Sequence, residues 1–389
     1  MKKALVVFLI LAVAGGLFAQ LSFSGSVETG IAVGMDDKDN DESPKIDFIR
    51  NRGEHNMASQ LNARYSGEGD FGKYGADVVF LLNSGLFSNG MGALGFDNYY
   101  VWWEPSPMLN IRIGKGGQYD FGLMSGFGNL LRTWQEGLYI LSKPADGVQV
   151  AAHVFYGAGH NGSSGFVDKL RYGLGFKYGI PILDINAALQ LRTANDPVGV
   201  YFGAGAKFKG VPGLGITLEA QGFDFASDKT NVIAGVGRVD YAAGALSLGV
   251  RGQLLYPLGS EIKDTIMPMT IHGEVAYKVS GITTIGVQAR YLTGRTLSGP
   301  TASLALTNYR NAGDMGNYNV DGYVPTKDVF FKDNKLAALG ISPEITFTLN
   351  KPTIKLGWNL QYDATENAKP TATKETMRNL FYAQVNVSF

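Results

Sequence analysis

The histidines and the missing cysteines limit the chemistry available to this 389-residue chain. The four histidines are His55, His153, His160 and His272. None stands in a recognisable Ser-His or Asp-His arrangement of the kind that hydrolases use. Cysteine is absent, which excludes disulfides, thiolate nucleophiles and thiolate metal sites. We therefore expect no catalytic residues and no enzyme activity.

Two short motifs imitate ligand sites but lack the surroundings that such sites need. The D-x-D-x-D sequence at 37–41 begins like a calcium loop, yet Glu42 replaces the required glycine and Phe48 replaces the bidentate glutamate. The sequence at 157–162 matches G-x-G-x-x-G, but an alternating stretch follows it where a dinucleotide site needs a helix. A solvated acidic loop is the favoured interpretation of 37–41, and we expect no metal and no cofactor.

Polar and small residues occupy every second position of alternating stretches, and the charged side chains among them are the strongest candidates for a functional role. In 353–363, apolar and aromatic residues occupy the even positions, while Lys355 and other small or polar residues occupy the odd ones. The stretches 169–179 and 183–193 repeat the scheme. A period of two predicts β-strands with two different faces and is incompatible with an amphipathic helix.

About eighteen such strands are predicted along the chain. Their approximate spans are 21–34, 57–67, 74–84, 96–104, 109–116, 135–142, 147–157, 169–179, 183–193, 198–209, 214–225, 231–241, 245–256, 269–279, 282–292, 336–349, 353–363 and 378–389. The spans 135–142 and 231–241 carry the weakest alternation, so sixteen strands is the alternative.

The connections between these strands alternate in length. After every second strand the connection is short, and the others are on average longer, with 35–56, 115–134 and 293–335 the largest. Short turns at one rim and long loops at the other are typical of membrane β-barrels. Lipid cannot hydrogen-bond a backbone, so a sheet in a bilayer must close on itself. The sequence thus predicts an all-β, antiparallel, up-and-down transmembrane barrel from residue 20 onwards.

The N-terminus and the composition agree with export to a membrane. Lys2 and Lys3 precede an apolar stretch at 4–14 and small residues at 15–19, which predicts a signal peptide cleaved after Ala19. Only 17% of residues are charged, 12% are aromatic and 52 are glycine, which suits a surface that meets lipid. The formal net charge of zero argues against nucleic-acid binding.

The last strand carries a resemblance to a known class. Residues 381–389 alternate strictly and end on Phe389, which resembles the C-terminal signature that the barrel-assembly machinery recognises in bacterial outer-membrane proteins. In size, strand spacing and loop asymmetry the chain resembles the porins of 16–18 strands. This resemblance implies residence in the outer membrane, with lipid, the assembly machinery and small hydrophilic solutes as partners. Monomer and homotrimer are both compatible with an apolar outer face.

A barrel of this size has a lumen too wide for side chains to fill, so the expected function is passive diffusion of small hydrophilic solutes. Charges lining the lumen would set ion selectivity. The cations predicted to face inward are Arg64, Arg112, Arg171, Lys177, Arg192, Lys207, Arg238, Arg251, Lys278, Arg290 and Lys355. The predicted inward acids are Glu28, Asp77, Asp184, Glu219, Asp240 and Glu274. Eleven cations against six acids favour a mild anion preference, unless the charges pair across the lumen and cancel.

Two loops extend the prediction. The resemblance to trimeric porins implies that loop 115–134 folds into the channel and brings Asp120 and Arg132 to the pore, with packing on the rim as the alternative. Loop 293–335 is the longest, and long loops are frequently functional. An adhesive or structural barrel whose loops bind host or matrix molecules is therefore the alternative function.

Aromatic residues near the strand ends are expected to anchor the barrel at the two membrane interfaces. Those assigned to this role are Tyr99, Trp102, Trp103, Tyr178, Tyr256 and Tyr362.

Overall fold

A computed structural model of the chain describes residues 20–36, 45–48, 60–82, 94–117, 119, 121, 136–156, 170–192, 199–223, 231–260, 269–295, 335–363 and 376–389. Within these ranges the regular structure is entirely β-strand. None of the described residues belongs to a helix long and apolar enough to cross a membrane. The predicted signal peptide at 1–19 and nearly all of loop 293–335 lie outside the described residues.

Nineteen strands form one antiparallel sheet. They are β1 (Gln20–Asp36), β2 (Lys45–Phe48), β3 (Gln60–Gly69), β4 (Gly72–Leu82), β5 (Leu94–Ser106), β6 (Leu109–Lys115), β7 (Glu136–Ala145), β8 (Val148–Tyr156), β9 (Leu170–Ile180), β10 (Leu183–Arg192), β11 (Gly199–Val211), β12 (Leu214–Phe223), β13 (Val232–Ala243), β14 (Leu246–Pro257), β15 (Met269–Lys278), β16 (Thr283–Arg295), β17 (Lys335–Thr348), β18 (Pro352–Asp363) and β19 (Thr376–Ser388). Eighteen correspond to the predicted strands, which confirms that number.

The short strand β2 was not predicted, because 35–56 was assigned entirely to a loop. It pairs with the second half of β1, from Ile31↔Phe48 to Gly34↔Lys45. The first half of β1 pairs with β3, from Gln20↔Ser66 to Ser26↔Gln60. β2 and β3 therefore share one edge of β1, and the circumference consists of eighteen strands.

The barrel closes between its first and last long strands. β19 pairs with β1 over the register from Ser26↔Ser388 to Asp36↔Arg378. Every other long strand pairs with its neighbours in the chain, so no sheet edge is left open among the described strands. Closure satisfies the backbone hydrogen bonds within the sheet, which is the condition for a sheet to lie in lipid.

The turns at one rim are tight. The residues with positive φ in these turns are Gly72, Gly147, Gly213, Gly244 and Asn350. Two-residue hairpins whose twist matches the strands require a left-handed residue, which glycine and asparagine adopt at low cost. The tight turns lie after β3, β7, β11, β13 and β17, as the alternation of connection lengths predicts.

The two faces of the sheet differ in chemistry. On one face large apolar side chains are exposed, for example Leu174, Leu218 and Val250 at 58%, 62% and 56%. The opposite face carries buried polar residues such as Gln190 and Thr217. Exposure of this apolar surface to water would be unfavourable, whereas its contact with the acyl chains of a bilayer is favourable. The apolar face is therefore the outside of a membrane barrel, and the polar face lines its interior.

The prediction that Trp102 anchors the barrel at a membrane interface is wrong. Trp102 lies on the inner face, where its ring covers Gly75 so closely that a Cβ there would lie 2.5 Å from Trp102 Cζ2. The neighbouring Tyr99 and Trp103 are on the outer face, exposed by 38% and 44%. Consecutive residues of a strand must point to opposite faces, so Trp102 and Trp103 could not both be anchors.

Candidate functional site

Most of the predicted pore-lining cations lie on the polar face of the barrel. The exposed apolar neighbours on their strands, and for Arg64 its contacts with Asp77 and Trp102, place on this face the described side chains of Arg64, Arg112, Arg171, Lys177, Lys207, Arg238, Arg251, Lys278 and Lys355. The backbones of Arg192 and Arg290 lie in β10 and β16, and their side chains are not described. Asp120 and Arg132 lie outside the described residues. Whether these residues line a conducting path stays a prediction.

An inward acid was missed by the sequence assignment. Glu344 of β17 lies on the polar face, because the outer face of that strand carries Leu339, Ile341 and Ile345, each at least 37% exposed. This alternation is visible in the sequence and could have located the carboxylate. Glu344 adds to the acids that offset the inward cations.

Glu344 is held by three polar partners. Its Oε1 lies 3.4 Å from Lys355 Nζ and accepts a hydrogen bond of 2.9 Å from Thr346 Oγ1. Its Oε2 accepts a hydrogen bond of 2.8 Å from Tyr382 Oη. These contacts join β17, β18 and β19. They also offset the negative charge of Glu344 and the positive charge of Lys355 on the inner wall.

A second ion cluster lies on β13 and β15. Arg238 Nε donates to Asp240 Oδ1 at 2.7 Å, and Arg238 Nη2 donates to Glu274 Oε1 at 3.3 Å. A cavity of about 370 Å³ opens beside these three residues and extends to Gln288 and Glu344. In these two clusters inward charges pair with one another, as the alternative to anion preference proposes.

The opposite wall, formed by β3 to β6, presents a more exposed cation. Arg64 Nε lies 3.6 Å from Asp77 Oδ1, and the Arg64 side chain is 59% exposed. Its guanidinium carbon lies 5.6 Å from the ring centroid of Trp102. By comparison, the side chains of Arg238 and Lys355 are 31% and 27% exposed. Arg64 is the most exposed of these three inward cations.

The chain after β6 turns into the barrel. Gly117, Tyr119 and Phe121 are buried, and both aromatic rings belong to a cluster with inward residues of β7 and β8. The wall residues of this cluster are Tyr139, Leu141, Ala151 and Phe155. The beginning of loop 115–134 therefore lies on the inner wall. The remainder of that loop is outside the described residues, so its effect on the pore stays a prediction.

Polar contacts fix the loop residues to the wall. The Tyr119 backbone N–H donates to His153 Nε2 at 3.4 Å, and the ring of His153 packs edge-on against Tyr139. Asn186 of β10 donates through Nδ2 to the Phe121 carbonyl and lies 3.3 Å from Glu219 Oε1. His153 was predicted to face inward, but the roles of Asn186 and Tyr139 had no sequence signal, because they depend on which wall the loop meets.

Tyr119 remains a hydrogen-bond donor throughout the physiological pH range. Burial raises the pKa of its phenol to about 12, which keeps the hydroxyl protonated. The hydroxyl donates to the Asn110 carbonyl at 3.3 Å and also contacts the Asn110 side chain. Asn110 lies on β6, so the loop is bound to the strand from which it emerges.

Within the described part of the chain, no group of three or more histidine and acidic side chains could hold a metal ion.

No protein-family model matches the chain, and no curated protein matches it. Solved structures do match. The chain is similar to OccK3 (OpdO) of Pseudomonas aeruginosa, with a TM-score of 0.55, 12% identity, and coverage of 95% of this chain and 96% of that one. OprD of Pseudomonas aeruginosa matches with a TM-score of 0.54 and 12% identity, covering 95% of this chain and 96% of that one. An anion-selective porin from Comamonas acidovorans matches with a TM-score of 0.50 and 11% identity, covering 95% of this chain and 100% of that one.

At 11–12% identity these likenesses establish the fold. The fold is the closed barrel of outer-membrane porins, and the match covers nearly the whole length of this chain. With its apolar outer face, a barrel of this fold is suited to lie in a lipid bilayer.

Proposed function

We propose that this protein is a porin through which small hydrophilic solutes diffuse passively across the outer membrane. The observation that carries the proposal is a closed barrel of eighteen strands with its polar face inside. A barrel of this strand number encloses an interior wider than inward side chains can fill, which leaves an aqueous path. The burial of the loop residues Tyr119 and Phe121 against one inner wall supports a path that is narrowed from that side.

A mild anion preference is the finer part of the proposal. It is supported by the inward cations on β3 to β11 and by the exposure of Arg64. On the other wall Arg238 and Lys355 pair with three carboxylates, and on the first wall Arg64 lies near Asp77, so acids offset part of the inward positive charge. One protein of similar fold is an anion-selective porin, which is consistent with this direction.

Single-channel recording on the refolded protein in a planar bilayer tests both parts. We expect a steady open current, and under a potassium chloride gradient a reversal potential of the sign set by chloride permeation. A barrel that folds but carries no current contradicts the channel and favours the adhesive alternative. A steady current with a cation-selective reversal potential contradicts the anion preference and keeps the channel.

A further inference from the structure

Arg112 was predicted to be a pore-lining charge, but it is partly buried and its guanidinium lies against two aromatic rings. Its central carbon lies 4.3 Å from the ring centroid of the loop residue Tyr119 and 5.4 Å from that of Tyr100 on β5. A guanidinium between two rings gains cation–π and stacking energy. The same group is therefore less available than Arg64 to an ion in the lumen.

The nitrogens of Arg112 are engaged as well. Nε donates to Asn110 Oδ1 at 3.1 Å, and Nη1 donates to the Gly117 carbonyl at 3.4 Å. Asn110 in turn accepts from the Tyr119 hydroxyl. Arg112 thus contacts both the backbone and an aromatic side chain of the loop, and it joins them to strands β5 and β6.

The backbone around this contact is adapted to close approach. Gly116 has a φ of 81°, which few other residues adopt without strain. A Cβ at Gly117 would lie 3.1 Å from the Cβ of Arg112 and 3.2 Å from Tyr139 Cδ2. The chain therefore leaves β6 through glycines that let it lie directly on the Arg112 side chain.

We infer that Arg112 is a positioning residue that clamps Gly117 and Tyr119 against the inner wall and thereby sets how far these two residues narrow the pore. The inference deepens the proposed porin function and rests on it. Lysine cannot replace arginine here, because an ammonium lacks the planar fork that stacks between two rings and donates to two acceptors at once. Arg112→Lys therefore keeps the charge and removes the clamp, which separates positioning from ion selection.

Hydrogen exchange provides a readout that does not depend on conduction. In the refolded full-length protein, mass spectrometry of a peptide spanning 117–121 follows the Tyr119 amide, which is hydrogen-bonded to His153. We expect Arg112→Lys to raise its exchange rate about tenfold, equivalent to about 1.4 kcal/mol of lost protection. Arg64→Lys, the same change on an inward arginine that contacts no described loop residue, should leave the exchange at the wild-type rate.

In planar bilayers Arg112→Lys should raise the single-channel conductance while the reversal potential stays within error of wild type. Tyr119→Leu removes the loop-side ring and should have the same effects with Arg112 intact, and retained heat-modifiable migration on gels confirms that each variant is folded. Wild-type exchange and conductance in both variants would overturn the clamp. Faster exchange in a protein that carries no current would instead keep the clamp and overturn the porin.

Discussion

At the scale of single residues, position within the barrel decides what a charge can do. Arg64 and Arg112 face inward from the same wall, yet Arg64 is 59% exposed, whereas Arg112 is partly buried against the rings of Tyr100 and Tyr119. Lys115, three residues beyond Arg112, lies on the outer face with Ile113. Alternation predicts the face on which each charge lies. It carries no information on which partners a charge meets there, because those come from other strands and from the loop.

Arg64→Gln should shift selectivity towards cations. A unit charge at about 7 Å in water contributes roughly 0.6 kcal/mol, which corresponds to about a threefold fall in the permeability of chloride relative to potassium. Reversal potentials measured below 0.1 M salt are suited to this test, because the Debye length at that concentration is about 10 Å.

Lys115→Gln is the matched control for that measurement. It removes the same charge from the chain but from the outer face, so its reversal potential should equal that of wild type. Equal shifts in the two variants would mean that overall protein charge, and not the exposed guanidinium in the lumen, controls ion preference.

At the scale of strands, the seam between β1 and β19 depends on a glycine and an aromatic ring. Gly25 and Phe389 exchange two backbone hydrogen bonds of 3.0 Å. A Cβ at Gly25 would lie 2.4 Å from the Gln60 carbonyl oxygen and 2.7 Å from Phe389 Cζ. Phe389 was expected to matter for assembly, and the structure adds the contact that the ring makes once the barrel has closed.

Gly25→Ala should destabilise the closed barrel by roughly 1–3 kcal/mol, the usual cost of inserting a methyl group into a packed site. Urea unfolding in lipid vesicles, followed by heat-modifiable migration, measures the change. Gly235→Ala on β13 is the control, because nothing lies within 4 Å of a Cβ there. A Gly25→Ala barrel as stable as the Gly235→Ala barrel would show that the ring adjusts without cost.

Strand positions were predictable because lipid enforces a strict period of two, and each long strand carries that period within its own sequence. The short strand β2 was missed because its four residues are too few to show a period of two. The site was less predictable than the fold. Inward faces follow from periodicity, whereas the contact of Asn186 with the Phe121 carbonyl depends on the path of the loop inside the barrel.

At the scale of the whole molecule, the apolar outer face is the feature that membrane residence requires. It extends around the circumference, from Phe23 on β1 through Leu174 on β9 to Leu356 on β18, all at least 43% exposed. In a bilayer these side chains contact lipid, so they expose no apolar surface to water. A charge placed among them must be desolvated or must draw water into the bilayer, and the cost depends on its depth.

Leu174→Arg should therefore be among the most destabilising outer-face changes. Leu174 is 58% exposed near the middle of β9, where a lipid-facing arginine costs about 2–4 kcal/mol. Phe71→Arg is the control, because Phe71 is 83% exposed in the tight turn after β3, at the rim, where the cost falls to about 0–1 kcal/mol. The measurement is urea unfolding in vesicles of phosphatidylcholine. If the two arginines cost the same, the middle of the outer face does not lie at the centre of the bilayer, and the orientation of the strands across the membrane must be revised.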